Sequence, residues 1–369
     1  MAEEVKKPAP PPIVEAPKAV FEEKNVSSQW RRNLKNRKRR RRPAETLFVH
    51  SMESKVCVTG AAGYLGDPYK VGLLKSLPHA ETRLRLFEAD IYDPRQFQPA
   101  IQGCRFVLHM ATPLQHQPQN SQFKDTTEAA VAGVKSIVEC CIASGTVKRL
   151  IYTASVVASS ALKEDGNGYK DQLDESCWTS PAATLPYATD SLRAYAGSKA
   201  ASEKELLRYG NEIEIEIVSL TLGLVGGASL LSSIPGSVDV LISQATKNTS
   251  GYNTLRFLEE LLGKVPILHV EDACDAHIFC MEKPSKNGRF LCACAYLSSA
   301  EIANLHRMIF PDIEIPVEFV EKLERKIVWG STKLNEAGFE YKYDVKTILE
   351  DSINLGHKLG ELEIQPSRA

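Results

Sequence analysis

Three glycines decide what the body of this chain can fold into. Gly60, Gly63 and Gly66 stand at G-x-x-G-x-x-G spacing directly after the apolar run "KVCVT". In such a motif the first glycine permits a tight turn off a strand. The second admits close approach of backbone to a pyrophosphate, and the third lets helix and strand pack together. Backbone N–H groups and the helix dipole then face the phosphates. The next two residues are Asp67 and Pro68. They stand where the phosphate-binding helix should be running, and a proline inside a helix costs about 3 kcal/mol. The motif opens a dinucleotide fold that this junction interrupts.

Beyond the motif, short apolar runs alternate with helical patterns. "KVCVT", "RLRLF", "RFVLHMA", "RLIYTAS" and "IEIEIVSL" read as strands of a largely buried sheet. Between the third and fourth lies a helix whose Val131, Val134, Ile137, Val138, Cys141 and Ile142 form one apolar face, with Gly145 as its stop. Strands separated by helices predict parallel βαβ units, hence an α/β fold with a doubly wound, Rossmann-like sheet. Ligands of such sheets lie at the carboxyl ends of the strands. There, after "YTAS", stands Tyr195-x-x-x-Lys199, two side chains on one face of a helix. An ammonium beside a phenol favours the phenolate and suits a proton donor. Chance alone supplies a pair of this spacing in a chain with 12 Tyr, so its place after the glycine motif is what gives it weight.

Charge separates a tail from the body. Residues 1–53 hold 13 Lys/Arg against 7 Asp/Glu, leaving 32 against 39 for the rest. Five prolines fall within the first 20 residues, and nine of the twelve residues from Arg31 to Arg42 are basic. Such a segment buries too little apolar surface to order itself. It reads as a disordered tail, either solvated or a weak nucleic-acid or nuclear-localisation patch. Nine cysteines are scattered without a C-x-x-C pair, and no His cluster has ligand spacing, so no metal is expected. A reducing, cytoplasmic setting fits, or a nuclear one if the tail is genuine. The longest charge-free run, 217–238, is rich in Ser and Gly and reads as strand and loop, not a membrane span.

The ordered set Thr59–Gly66, "EADIYD", "HMATP", "YTAS" and Tyr195/Lys199 resembles an extended short-chain dehydrogenase/reductase. "DESCW", "SLTLGLVGG" and "HVEDACDAHIF" narrow this to the plant dihydroflavonol reductase and anthocyanidin reductase group. "LLSSIPGSVDVLISQ", "FLEELLGKVPI" and "FEYKYD" look closest to the anthocyanidin reductase side. The resemblance runs from about Lys55 to Leu362 and covers none of residues 1–53. It implies an NADP(H)-binding region over 54–225, a smaller substrate lobe over 226–365, and a flavonoid-type or other aromatic substrate.

Carried over by position, Gly60 and Ala62, Gly63, Tyr64 and Leu65 would meet the pyrophosphate, and Lys70 would lie near the 2′-phosphate. Asp90 and Ile91 would hold the adenine, and Met110, Ala111, Thr112 and Pro113 would line the cofactor channel. Ser155 would bond the substrate oxygen, Tyr195 would donate the proton, and Lys199 would hold the nicotinamide ribose and tune Tyr195. His269 and His277 read as structural histidines, Cys274 and Cys280 as core.

Two departures from the family stand out. Thr221 occupies a position where the family usually has Pro. Gly66 joins Asp67 directly, as though roughly 20 residues carrying most of the first helix and the second strand were missing. A competing reading needs no deletion: "YKVGLLKSLPH" becomes the first helix and "RLRLFEAD" the second strand. Asp90, 24 residues after Gly66, is then a ribose-binding acid suited to NAD.

Overall fold

Most of the apolar runs become strands in the computed structural model, which describes residues 54–60, 68–91, 93–113, 123–163, 168–180, 185–283, 287–321 and 325–363. The tail with Arg31–Arg42 lies outside the described residues, as do Ala62, Gly63, Tyr64, Leu65 and the Gly66–Asp67 junction. The strands are β1 (Val56–Thr59), β2 (Phe106–His109), β3 (Arg149–Ser155), β4 (Gln172–Leu173), β5 (Glu216–Leu222), β6 (Leu224–Gly226), β7 (Val265–His269), β8 (Gly288–Cys292), β9 (Ala295–Leu297) and β10 (Val328–Trp329). Five of them form one all-parallel sheet in the order β1-β2-β3-β5-β8. A smaller sheet runs β6-β7-β9, and β4 pairs with β10.

The longer helices are α1 (Pro68–Lys75), α2 (Thr126–Ser144), α3 (Asp190–Tyr209), α4 (Gly236–Thr246), α5 (Thr249–Leu262), α6 (Val270–Glu282), α7 (Ser299–Ile309) and α8 (Val345–Lys358). Helix α2 starts where the Asp125 side chain accepts from Glu128 N, and stops at Gly145 with φ 66°. Its apolar stripe buries Val134, Ile137, Val138 and Cys141. Each aliphatic side chain so buried stabilises the packing by roughly 1.5–3 kcal/mol. Ile142, expected on that stripe, is 48% exposed, because Ala130 and Cys140 complete the buried face instead. Against α2 and α3 lies one sheet face, with Cys57, Val107, Leu150 and Ile217 in its core. The other face packs Leu108, Ile151, Leu220 and Phe290 with Ala276 of α6.

One expected strand is absent. In "RLRLF", residues 84–90 carry no regular structure, and Leu86 and Phe87 are exposed. Among the described residues β1 is the edge of its sheet, and that run does not pair with it. Val56 and Val58, on the face opposite Cys57, are accordingly 38% and 40% exposed. Among the described residues Pro68 is the first of α1, a position where a missing N–H is harmless. The competing reading thus gains its helix but loses its strand.

Strand β5 starts at Glu216, later than Ile213, and continues through Thr221, whose neighbours are Ala154 and Leu291. A proline there could not donate to the ladder. No helix among the described residues is long and apolar enough to cross a membrane.

Candidate active site

Register across the sheet lines up five polar residues. Thr59, His109, Tyr152, Ser219 and Arg289 are successive Cα partners in β1, β2, β3, β5 and β8, and all five are buried. This row faces the α2–α3 layer. Thr59 Oγ1 lies 2.8 Å from His109 Nδ1 and accepts from Met110 N and Ala111 N at 3.2 Å each. Its proton is therefore left for the imidazole. Burial, reinforced by the Lys199 charge, pushes His109 down to about 3, so the ring is neutral. The turn off β1 needs glycine. Gly60 has φ +76°, and a Cβ there would lie 3.0 Å from Ala111 N.

Above the row stands the trio singled out from the sequence. Helix α3 is N-capped by Thr189 and presents Tyr195 and Lys199 one turn apart. Ser155 ends β3 and caps the short turn Val156–Ala158 through a long contact of 3.5 Å from Val157 N. The Tyr195 phenol lies near Ser155, whose hydroxyl works against the effect of burial on it. Lys199 is buried, donates to Thr112 Oγ1 at 2.8 Å and Thr153 O at 3.1 Å, and lies 5.2 Å from the Tyr152 ring centroid. Burial lowers its pKa to about 8, opposed by the Glu203 carboxylate.

One electrostatic expectation fails. Tyr195 is raised, not lowered, because burial disfavours its phenolate and the Ser155 hydroxyl offsets only part of this. The Lys199 ammonium is spent on Thr112 and Thr153. Tyr195 is thus a phenol that keeps its proton, which suits an acid rather than a base.

The remaining positions scatter. Asp90 is exposed, its N–H donating to Gln96 Oε1 at 2.9 Å while its carbonyl accepts from Asp93 N. Ile91 packs on Gly133 of α2, where a Cβ would come within 3.1 Å of it. Lys70 is half-buried on α1, Met110 is 38% exposed, and Pro113 is buried. His269 caps α6 by accepting from Glu271 N and stacks on Tyr343 at 3.8 Å. His277 bonds Ala273 O at 2.7 Å and Thr153 Oγ1 at 2.8 Å. Both are occupied in structure. Cys280 is core, but Cys274 is exposed, since it sits on the outer side of α6.

Residues 56–293 match the family described as NAD dependent epimerase/dehydratase. The chain belongs to that family. Within it, an anthocyanidin reductase ((2S)-flavan-3-ol-forming) of Vitis vinifera is 33% identical over 281 residues, 76% of this chain and 82% of the relative. A dihydroflavonol 4-reductase of Arabidopsis thaliana is 28% identical over 344 residues, covering 86% of each. Vestitone reductase from alfalfa (Medicago sativa L.) superimposes with a TM-score of 0.63 at 27% identity, over 83% of this chain and 99% of that one. A yeast methylglyoxal/isovaleraldehyde reductase, solved complexed with NADPH, shares the fold at TM-score 0.58 and 20% identity, over 83% and 99%. The Rossmann-like reading of the sheet stands on these superpositions. The buried polar row was not anticipated; a polar residue set within each apolar run was its signal.

Proposed function

We propose that this chain is an NADPH-dependent reductase of flavonoid-type or other aromatic carbonyl substrates, with Tyr195 as proton donor. The observation that carries the reading is the junction of three groups: a protonated Tyr195 beside Ser155, with buried cationic Lys199 one turn away. The residues present fit the nicotinamide end of such a cofactor. A cation of pKa about 8 stands beside Thr112, and the Gly60 turn brings Ala111 close. NADPH, when bound, supplies a hydride. Ser155 Oγ orients the substrate oxygen, Tyr195 Oη delivers its proton there, and Lys199 Nζ holds the ribose. Asp90 follows no strand among the described residues, which weakens the NAD alternative. NADPH oxidation by folded protein against a panel of dihydroflavonols, anthocyanidins and isoflavonoid ketones tests the reading. No turnover with any member counts against it.

Lys199 makes the reading pH-dependent. Its folded pKa, about 8, lies below the usual 10.5, so the site loses its cation as pH rises through 8. Tyr195, raised above its usual 10, stays protonated there. NADPH affinity should weaken about tenfold between pH 7 and 9.5, as one charge-assisted bond becomes neutral. A cofactor-fluorescence titration flat across that range would contradict the assignment.

A second reading is favoured by the exposed edge at Val56 and Val58 and by the unladdered run after Arg83. In it the chain is a truncated, catalytically impaired form, lacking a strand beyond β1 and the helix before that strand. Sequencing the transcript across Gly66–Asp67 decides between them: a recovered helix and strand favours the enzyme.

A further inference from the structure

Glu203 has no part in the chemistry just described, yet it is the most heavily anchored carboxylate near it. It is fully buried one turn after Lys199, on the same side of α3. A carboxylate without partners would hold a proton in such a place. Here four donor bonds converge on it. Ser219 Oγ and Thr221 Oγ1 each donate to Oε1 at 2.6 Å. Arg289 adds Nε to Oε1 at 3.0 Å and Nη2 to Oε2 at 3.2 Å. Arg289 is itself immobilised: it donates to Ser159 Oγ at 2.7 Å, Cys177 O at 2.5 Å and Glu175 O at 3.0 Å, and stacks 3.7 Å from the Trp178 ring. All four donor bonds thus come from the buried polar row and its continuation on β5.

The ammonium it adjoins is otherwise among neutral groups. Lys199 donates to Thr112 Oγ1 and Thr153 O, both uncharged. Titratable groups facing it are Tyr152 of β3, His109 of β2, and Tyr195 and Glu203 of its own helix. Burial keeps Tyr152 and Tyr195 protonated and His109 neutral. Arg289 on β8 meets Glu203 from the sheet side. Of these groups only Glu203 can carry a negative charge at neutral pH.

We propose that Glu203 is a positioning residue for Lys199: fixed by Ser219, Thr221 and Arg289, it is the counter-charge that keeps the buried ammonium protonated and in place. The assignment rests on the functional reading above. It also gives Thr221 a purpose. Its hydroxyl anchors the carboxylate.

The test is the ionisation of Lys199 itself, read in the full chain by NMR of 13C-labelled lysine, with the signal identified by its loss in Lys199→Arg. The parent midpoint is expected near 8. Glu203→Gln should lower it by roughly one unit or more, the usual effect of losing a close opposite charge. Because that substitution leaves the Arg289 charge buried without its partner, Glu203→Gln/Arg289→Met is measured beside it as a neutral pair. The alkaline limb of NADPH affinity should move down with the midpoint. A residue with only a structural role would change thermal stability and leave the midpoint where it was. A midpoint unmoved in both variants overturns the proposal. A parent that turns over no substrate counts against the functional reading, while the Lys199 midpoint still decides this one.

Discussion

Tyr195→Phe should lower turnover by roughly 10²–10⁴-fold, the range for a lost general acid, while folding and NADPH binding barely change. The substitution removes one hydroxyl and leaves the ring, which packs half-buried against the larger apolar core. Ser155 keeps its contact with Val157 N. The phenol titrates above its ordinary range, so the parent's alkaline limb below pH 10 belongs to Lys199 and should persist in the variant. Steady-state kinetics with NADPH and the best flavonoid substrate make the measurement. If the parent is silent, the same change is read in a version carrying a relative's sequence across Gly66–Asp67. Near-parental turnover of Tyr195→Phe would show that Tyr195 is a packing aromatic.

How much of this was legible in the chain depends on how local each signal is. Stripes and stops are local, so α2 could be placed from its apolar repeat and Gly145. The Tyr195–Lys199 face is local too, because four residues on one helix fix it. Pairing is not local. "RLRLF" has the alternation of a strand, yet alternation cannot say whether a neighbouring ladder exists to receive it, and here Leu86 and Phe87 stay exposed. The polar row is the same problem in reverse. His109 and Arg289 look like flaws in apolar runs until register sets them beside Tyr152 and Ser219. Tyr195's raised pKa follows likewise from burial by packing that no local pattern shows.

Acidification from pH 6.5 to 4.5 should strongly destabilise the protein. His109 and His306 are both buried to 1% exposure or less, and burial pushes them down to about 3 and about 4. Unfolded, each titrates near 6.5, so between those values the unfolded chain binds more protons. Their contribution is complete above pH 6.5 and is lost as pH falls, at about 1.4 kcal/mol per unit for each histidine. From pH 6.5 to 4.5 the pair removes roughly 5 kcal/mol, comparable to the whole stability of many domains. Urea unfolding at pH 7 and pH 4.5 measures it. His306 separates this effect from general acid damage. Neither of its ring nitrogens has a hydrogen-bond partner among the described residues, so His306→Leu orphans no polar group. That variant should be as stable as the parent at pH 7 or more so, and should lose about half the acid sensitivity. An unchanged difference between pH 7 and 4.5 would mean that His306 is protonated in the folded chain at the lower pH, and that burial there is not what keeps it neutral.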